Sequence, residues 1–367
     1  MESSGNHETQ VTGEPMLIDD FVEIFDVWEE ARPYLSLMVD EQEMACIVKM
    51  KGRPMTPAEA AEAMQITLKE SAALLERCYS RCIVDRITEG EVARYIPGNF
   101  EAVLDHFVKY GRWDDIPAQA RSIIDRRFLD SFIARCRPGV ERKQRGLEAE
   151  NALPNDTIML LSEIEEMIDA AAHIVVQPCD CRRLGQNCDR PVETCIWLDD
   201  EALEALDRGH GRRLTKAEAR ELIRWADKKG LMHTADSEWH TRGLHAICNC
   251  CACDCYPFRA ARVLGSKGVW PMSRYVAVHD GDACSQCGVC IERCHFNAFF
   301  HTSDTVIVDG RVRQVVGFDP EKCWGCGLCA NTCVPGAIEM VPLNKKEPTE
   351  HTENTENKEN LEKNCLT

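Results

Sequence analysis

The 367-residue chain predicts an α+β, multidomain protein. Three observations carry that reading. Residues 17–100 hold three short helical segments with clear start signals, followed by a hairpin pattern. Residues 176–272 combine strand and helix patterns with nine cysteines, the mark of a cysteine-rich α/β middle domain. Residues 273–342 carry eight more cysteines in two runs of identical spacing. A helical region, 101–175, lies between the first two, and the ends, 1–16 and 343–367, read as disordered.

Taken in order, MESSGNHETQVTGEP is polar and aperiodic. It has neither a basic n-region nor an apolar h-region, so it does not read as a signal peptide. Asp40 caps a helix carrying Met44, Ile47 and Val48. Thr56, Pro57 and Glu59 supply an N-cap, a first-turn proline and a capping-box partner, and Thr67 with Glu70 repeats the box for a helix through Leu74, Leu75 and Cys78. IVDRITEGEVARYI then reads as two strands around a Glu89-Gly90 turn. Helices followed by such a hairpin resemble a winged helix. Phe100, Leu104 and Phe107 share one helical face; a helix over Ser162–Ala172 precedes the strand-like run HIVVQ. Thr215 and Glu218 open a helix through Leu222, Ile223 and Trp225 that stops at Gly230. From Asn344 the tail is low-complexity Glu, Asn, Lys and Thr, with too little apolar surface to offset the entropy of ordering. Cys365 within it is not expected to be a ligand.

The chain holds 22 cysteines at a formal net charge of −18. A cysteine-rich chain of this length points to metal binding in a reducing compartment rather than to a disulfide scaffold. No apolar run approaches the roughly 18–20 residues a membrane span needs. The expectation is a soluble, cytoplasmic protein. Its acidic surface repels nucleic acid and anionic membranes and suits docking to a basic patch on a protein redox partner.

Residues 284–294, CSQCGVCIERC, and 323–333, CWGCGLCANTC, both separate their cysteines by two, two and three residues. This pattern resembles the bacterial two-cluster ferredoxins, in which the fourth cysteine of each run serves the other cluster. The resemblance, over residues 273–342, implies two [4Fe–4S] clusters. Cys284, Cys287, Cys290 and Cys333 would hold one, and Cys323, Cys326, Cys329 and Cys294 the other. The proline that usually follows the fourth cysteine is replaced by His295 and Val334, while Ala298 and Ala337 keep the family's small residue. TVIVDGRVRQVVGF between the runs reads as a hairpin about Asp309-Gly310. Structural zinc, which favours paired Cys-x-x-Cys sets, fits these runs poorly.

Upstream, CDCRRLGQNCDRPVETC places Cys179, Cys181, Cys188 and Cys195 with gaps of one, six and six. CNCCACDC adds Cys248, Cys250, Cys251, Cys253 and Cys255. These nine thiolates are one more than two cubanes need. Consecutive side chains diverge, so Cys250 and Cys251 should face different clusters unless one is spare. One or two further iron–sulfur clusters are expected. A single unusual cluster, or zinc held by the four cysteines at 179–195, is the alternative. The Cys-Cys-Gly motif of heterodisulfide-reductase-type domains is not matched, because Ala252 follows Cys251. The layout as a whole resembles a family of anaerobe proteins. There a winged-helix-like segment precedes a Cys-x-Cys-Arg…Cys-x-x-Pro…Cys block, a Cys-Asn-Cys-Cys run and a two-cluster ferredoxin. Here the block is Cys179, Cys181, Arg182, Cys188, Pro191 and Cys195, and the run often carries another cysteine where this chain has Asp254. The resemblance implies a 4Fe–4S redox protein.

Cys46, Cys78, Cys82 and Cys136 read as small buried hydrophobes, with Cys78 and Cys82 four apart on one helix face. His173, His233, His240 and His245 read as packed or surface histidines rather than ligands. Arg182 and Arg183 either neutralise cluster charge or form a solvated pair, and Trp324 and Phe296 exclude water. No dinucleotide, Walker or Ser-His-Asp pattern is present, so no catalytic residue is assigned. The segment LKESAALLERCYSRC is nearly neutral, which favours protein docking or homo-oligomer formation over DNA. The expected function is a polyferredoxin-like electron-transfer subunit serving a partner oxidoreductase in anaerobic metabolism. The alternatives are a reductase whose active site is a cluster at 179–255 and an iron–sulfur DNA-binding regulator.

Overall fold

The computed structural model describes residues 14–89, 92–149, 153–154 and 156–343. Most of both ends expected to be disordered, Gly90 of the expected turn, and Cys365 lie outside the described residues. Residues 14–16, counted with the disordered N-terminus in the sequence reading, open a helix over Glu14–Phe25.

Capping starts the N-terminal helices. Glu41–Met50, Pro57–Met64 and Leu68–Ser80 begin after Asp40, Thr56 and Thr67. Each cap accepts from the N–H three residues on, while Glu43, Glu59 and Glu70 reach back to the cap's N–H. Strands β1 (Val84–Glu89) and β2 (Val92–Pro97) pair antiparallel, and Tyr95 also bridges to Met55. The helix spacing buries Met44, Ile47, Leu75 and Cys78 with Leu104, Phe107 and Trp113, and this core runs on through Phe132 to Leu184, Tyr256 and Trp270. The N-terminal and helical regions therefore share one interior with the middle of the chain. One expectation fails here. The helix stops at Ser80 and Cys82 sits at φ +57°, so Cys82 does not share a helix face with Cys78.

Glu43 is fully buried and accepts from Arg77 and Arg81, at 3.1 and 2.8 Å. Removing Glu43 takes away the acceptor shared by two guanidinium groups that keep partial access to water, 43% and 30% exposed. Glu43→Ala should cost about 1.5–3 kcal/mol, the worth of hydrogen bonds to a charged group, read as a lowered denaturant midpoint at unchanged slope; a midpoint equal to wild type would contradict this account.

The middle of the chain is built on a six-stranded sheet. Its members are β3 (Thr157–Met159), β4 (Ile174–Pro178), β5 (Glu193–Leu198), β6 (Arg212–Arg213), β7 (Met232–Ala235) and β8 (Ala246–Cys250). The order is β3-β7-β8-β5-β4-β6, and every neighbouring pair is antiparallel. This corrects the α/β expectation for 176–272: every pairing is antiparallel, with β4-β5 and β7-β8 adjacent in sequence and the other connections passing over intervening strands, so the parallel crossover units of an α/β sheet are absent from it and the unit is α+β. A boundary at 175/176 falls inside β4, and β3, within the span read as helical, is an edge strand of this sheet.

The pleat sorts side chains to two faces. Ile174, Val176, Ile196, Leu198 and Ile247 pack with Ile164, Ile168, Ala219 and Ile223 of the helices Leu161–Ala170 and Lys216–Lys228. By the same alternation Cys195, Cys248 and Cys250 point to the opposite face. There the C-terminal unit docks, with β9 (Tyr275–His279) pairing with β12 (Ile338–Pro342), and β10 (Phe299–Val308) with β11 (Arg311–Phe318). The β10–β11 turn places Asp309 and Gly310 at φ +50° and +73°. Positive φ at both central residues is the hairpin geometry read from Asp-Gly.

Candidate metal centres

In the C-terminal unit, one small cavity is lined by Cys284, Cys287, Cys290 and Cys333 and also by Cys329, which lines the second as well. A second is lined by Cys294, Cys323, Cys326 and Cys329. The exchange of fourth cysteines follows from the pairing of β9 with β12, which sets the two runs side by side in opposite directions. Backbone amides already face the sulfurs: Gln286 and Gly325 donate to Cys284 and Cys323 at 3.4 Å, and Ala298 donates to Cys294 at 3.3 Å. Gly325, at φ +71°, has room for no side chain, since a Cβ there would stand 2.1 Å from the Tyr275 carbonyl oxygen. Burial pushes the Cys326 thiol up to about 12, so metal loading must displace a proton there. Paired four-sulfur cavities with inward amides fit [4Fe–4S] cubes.

His295, in place of the usual proline, donates to the Gly230 carbonyl at 2.7 Å. Arg293 donates to the carbonyls of Asp227, Lys228 and Leu328, and Asn331 donates to the Asp227 carboxylate. These bonds anchor the two cysteine runs on the helix Lys216–Lys228 and the segment after it.

The nine upstream cysteines divide into two sets. Six form a closed ring in which each sulfur neighbours two others, in the order Cys179, Cys181, Cys255, Cys250, Cys248, Cys195, with Cys255 and Cys250 hydrogen-bonded at 3.2 Å. Their positions follow from secondary structure. Cys195 on β5 faces Cys248 on β8, because Ile196 registers with Ile247. Cys250 lies two residues on along the same face. Cys179 and Cys255 cap the short helices Asp180–Gly185 and Tyr256–Leu264, and Cys181 sits in the first turn of the former. The ring lines a cavity of about 280 Å³ with Lys109, Arg182 and Tyr256 on its wall.

Arg182 is 2% exposed and donates to the carbonyls of Pro191 and Asn249, at 2.8 and 2.7 Å, and to the Thr194 hydroxyl. Burial opposes its charge, but Cys179, Cys195, Cys251 and Cys250 more than offset that and raise its pKa. Of the two readings of Arg182, charge compensation at the sulfurs is the one the structure places. Arg183 instead bonds the Val108 carbonyl and Asp114. Lys109, paired with Asp105 at 2.7 Å, is a second buried cation beside Cys195. A lone lysine on an amphipathic helix gave no sequence signal for this role.

Cys251 faces away from its neighbour Cys250 and meets Cys188 and Cys253, the three sulfurs lying within 4.8 Å of one another. The four cysteines at 179–195 therefore do not converge as one zinc site, because Cys188 leaves the other three. His173, His240 and His245 contact Arg213, Trp239 and Glu201, whereas His233 is buried against Asn249. None of the four joins a metal-compatible group among the described residues. Cys82, read as a buried hydrophobe, instead lies with His106 and His210. Their separation in sequence hid that grouping. His210 is already engaged at Nε2 by the Ser80 carbonyl, 2.6 Å away.

Residues 316–339 match the family of 4Fe-4S binding domains. The chain is 34% identical over 79 residues to the polyferredoxin protein MvhB of Methanothermus fervidus, covering 20% of this chain and 19% of that one. It is 42% identical over 53 residues to the pyruvate synthase subunit PorD of Thermotoga maritima, covering 14% of this chain and 50% of that one. The chain thus spans half or less of the length of these relatives. It carries a ferredoxin-type iron–sulfur unit, an electron-transfer module. Among the described residues, no helix is long and apolar enough to cross a membrane.

Proposed function

We propose that the protein is a polyferredoxin-like electron-transfer subunit, relaying single electrons between a partner oxidoreductase and the six-cysteine ring by way of the ferredoxin unit. The observation that carries this is the packing between the two. Cys250, Cys255 and Phe258 share one apolar cluster with Trp324 and Leu328, against which Cys248, Phe296 and Cys326 also pack. Phe296 stacks on Trp324 with ring centroids 4.6 Å apart. Ring and ferredoxin cysteines thus meet in one apolar cluster of side chains. Clusters held by the eight ferredoxin cysteines and by the ring supply one-electron chemistry. The protein's own part is to space these sites, to hold Arg182 and Lys109 against the negative charge of the ring, and to keep the path apolar. Six thiols are two more than one cubane takes, so the ring centre is not an ordinary cube. The net charge of −18 favours a partner with a basic face. The winged-helix-like segment, nearly neutral where DNA reading needs basic residues, serves in this reading to dock protein.

Iron and sulfide analysis of anaerobically reconstituted full-length chain tests the reading. More than eight irons per chain is expected, with Cys181→Ser or Cys255→Ser removing the excess while the ferredoxin EPR signals persist. Eight irons in wild type, unchanged in both variants, would confine the clusters to the ferredoxin unit.

A further inference from the structure

The second set of upstream cysteines is built differently from the first. Cys188 Sγ lies 3.7 Å from Cys251 Sγ, and Cys253 Sγ completes a mutually contacting triad. Asp254 aims one carboxylate oxygen, Oδ2, into that triad, at 3.1 Å from Cys188 and 3.7 Å from Cys251. The carboxylate is wholly buried. Its other oxygen, Oδ1, is held in place by two donors, the Asn187 backbone N–H at 2.9 Å and the Asn187 side-chain amide at 2.8 Å. A Cβ at Gly185 would stand 2.5 Å from Oδ1, so the loop leaves that position bare to admit the carboxylate.

These spacings act as a ruler. Zinc binds thiolate at about 2.3 Å and carboxylate at about 2.0 Å in a tetrahedron, which puts sulfurs about 3.8 Å apart and sulfur about 3.5 Å from oxygen. Three of the six edges, Cys188–Cys251 at 3.7 Å and Asp254 Oδ2 to Cys188 and Cys251 at 3.1 and 3.7 Å, stand close to those values, and the Cys253 sulfur lies within 4.8 Å of the other two sulfurs. A cubane places each thiolate on a different iron and so holds the sulfurs farther apart. None of the eight ferredoxin sulfurs joins a group within 4.8 Å among the described residues. The ring surrounds a cavity; Cys179 and Cys195 share a group within 4.8 Å with Asp180, but no third thiol joins them there.

The geometry points to a mononuclear, tetrahedral zinc-type site formed by Cys188, Cys251, Cys253 and Asp254. Protein fills all four positions, so the site is closed and structural rather than catalytic. Asn187 orients the carboxylate ligand, and Arg190, whose guanidinium is 3.6 Å from Cys253, offsets part of the negative charge. The metal would tie the 179–195 loop, which gives the ring Cys179, Cys181 and Cys195, to the 248–255 run, which gives it Cys248, Cys250 and Cys255. The site does not depend on the electron-relay reading, because its readout is zinc or cobalt rather than iron.

Full-length chain is purified in the presence of zinc and analysed for metal, and a second sample is loaded with cobalt. One zinc per chain is expected, with X-ray absorption showing three sulfurs and one oxygen, and cobalt should give the intense visible bands of a tetrahedral thiolate. Cys253→Ser should abolish cobalt binding with the ferredoxin EPR signals intact, the control that the chain has folded. Asn187→Ala should weaken zinc by about 10–100-fold, the usual cost of losing a residue that orients a ligand. Loss of iron and sulfide in equal amounts from Cys253→Ser would overturn the proposal in favour of a cubane. Zinc content unchanged in that variant would also overturn it.

Discussion

Stripping the clusters should melt the C-terminal unit while the N-terminal helices stay folded. The unit of roughly 70 residues is of a size that rarely supplies more than about 3–5 kcal/mol from a single core. Its own internal cluster is small, Ala277, Cys290, Phe299, Val316 and Ile338, since Trp324 and Leu328 pack instead with Cys250 and Phe258, and much of what packs against that cluster is Cys284, Cys323, Cys329 and Cys333. The ligands are thus a large part of the core, and the free energy of metal binding is folding free energy. Hydrogen exchange after anaerobic chelation should show protection lost across β9 and β12 and kept in Glu41–Met50, which belongs to the large N-terminal core. Equal protection of β9 with and without iron would show that the strands hold without the clusters.

Arg182→Ala should be the most damaging single substitution around the ring. The side chain makes three hydrogen bonds in the interior, and its loss leaves the Pro191 and Asn249 carbonyls and the Thr194 hydroxyl without that donor. It also leaves the sulfur charge of the ring without one of its two buried cations. Removing one partner from a buried charge arrangement costs about 3–5 kcal/mol. Losing a positive charge beside a cluster also makes adding an electron harder, so the potential of the ring centre should fall while those of the ferredoxin clusters hold. Denaturant unfolding and a potentiometric EPR titration read the two effects. Arg182→Lys keeps the charge but not the fork, and should restore the potential more than the stability. A variant with wild-type potential would remove Arg182 from the electrostatics of the ring.

Local signals in the chain were legible because their causes are local. Asp40, Thr56, Thr67 and Thr215 start helices through bonds spanning three residues, and each helix begins where its cap stands. Asp309-Gly310 sets its hairpin through the dihedrals of two residues. The two ferredoxin runs are legible for a similar reason, since three thiolates of each set come from one short loop. Cys82 shows the limit: four residues from Cys78, it left the helix because the chain turns at Ser80.

The division of the nine upstream cysteines shows the same limit over longer distances. The divergence of Cys250 from Cys251 could be read from adjacency, and it argued against a single ordinary cube while leaving one unusual cluster open. Which cysteines joined which site depended on the register of β5 with β8 and on the caps of two short helices, and neither appears in spacing. Cys188 and Cys251 are 63 positions apart in the chain, and Asp254 lies 66 from Cys188. The sequence alone determined that this chain carries paired ferredoxin-type runs and a further store of thiolates. The antiparallel sheet decided how those thiolates divide, because a pleated strand sends alternate side chains to opposite faces and only its neighbours determine what each will meet.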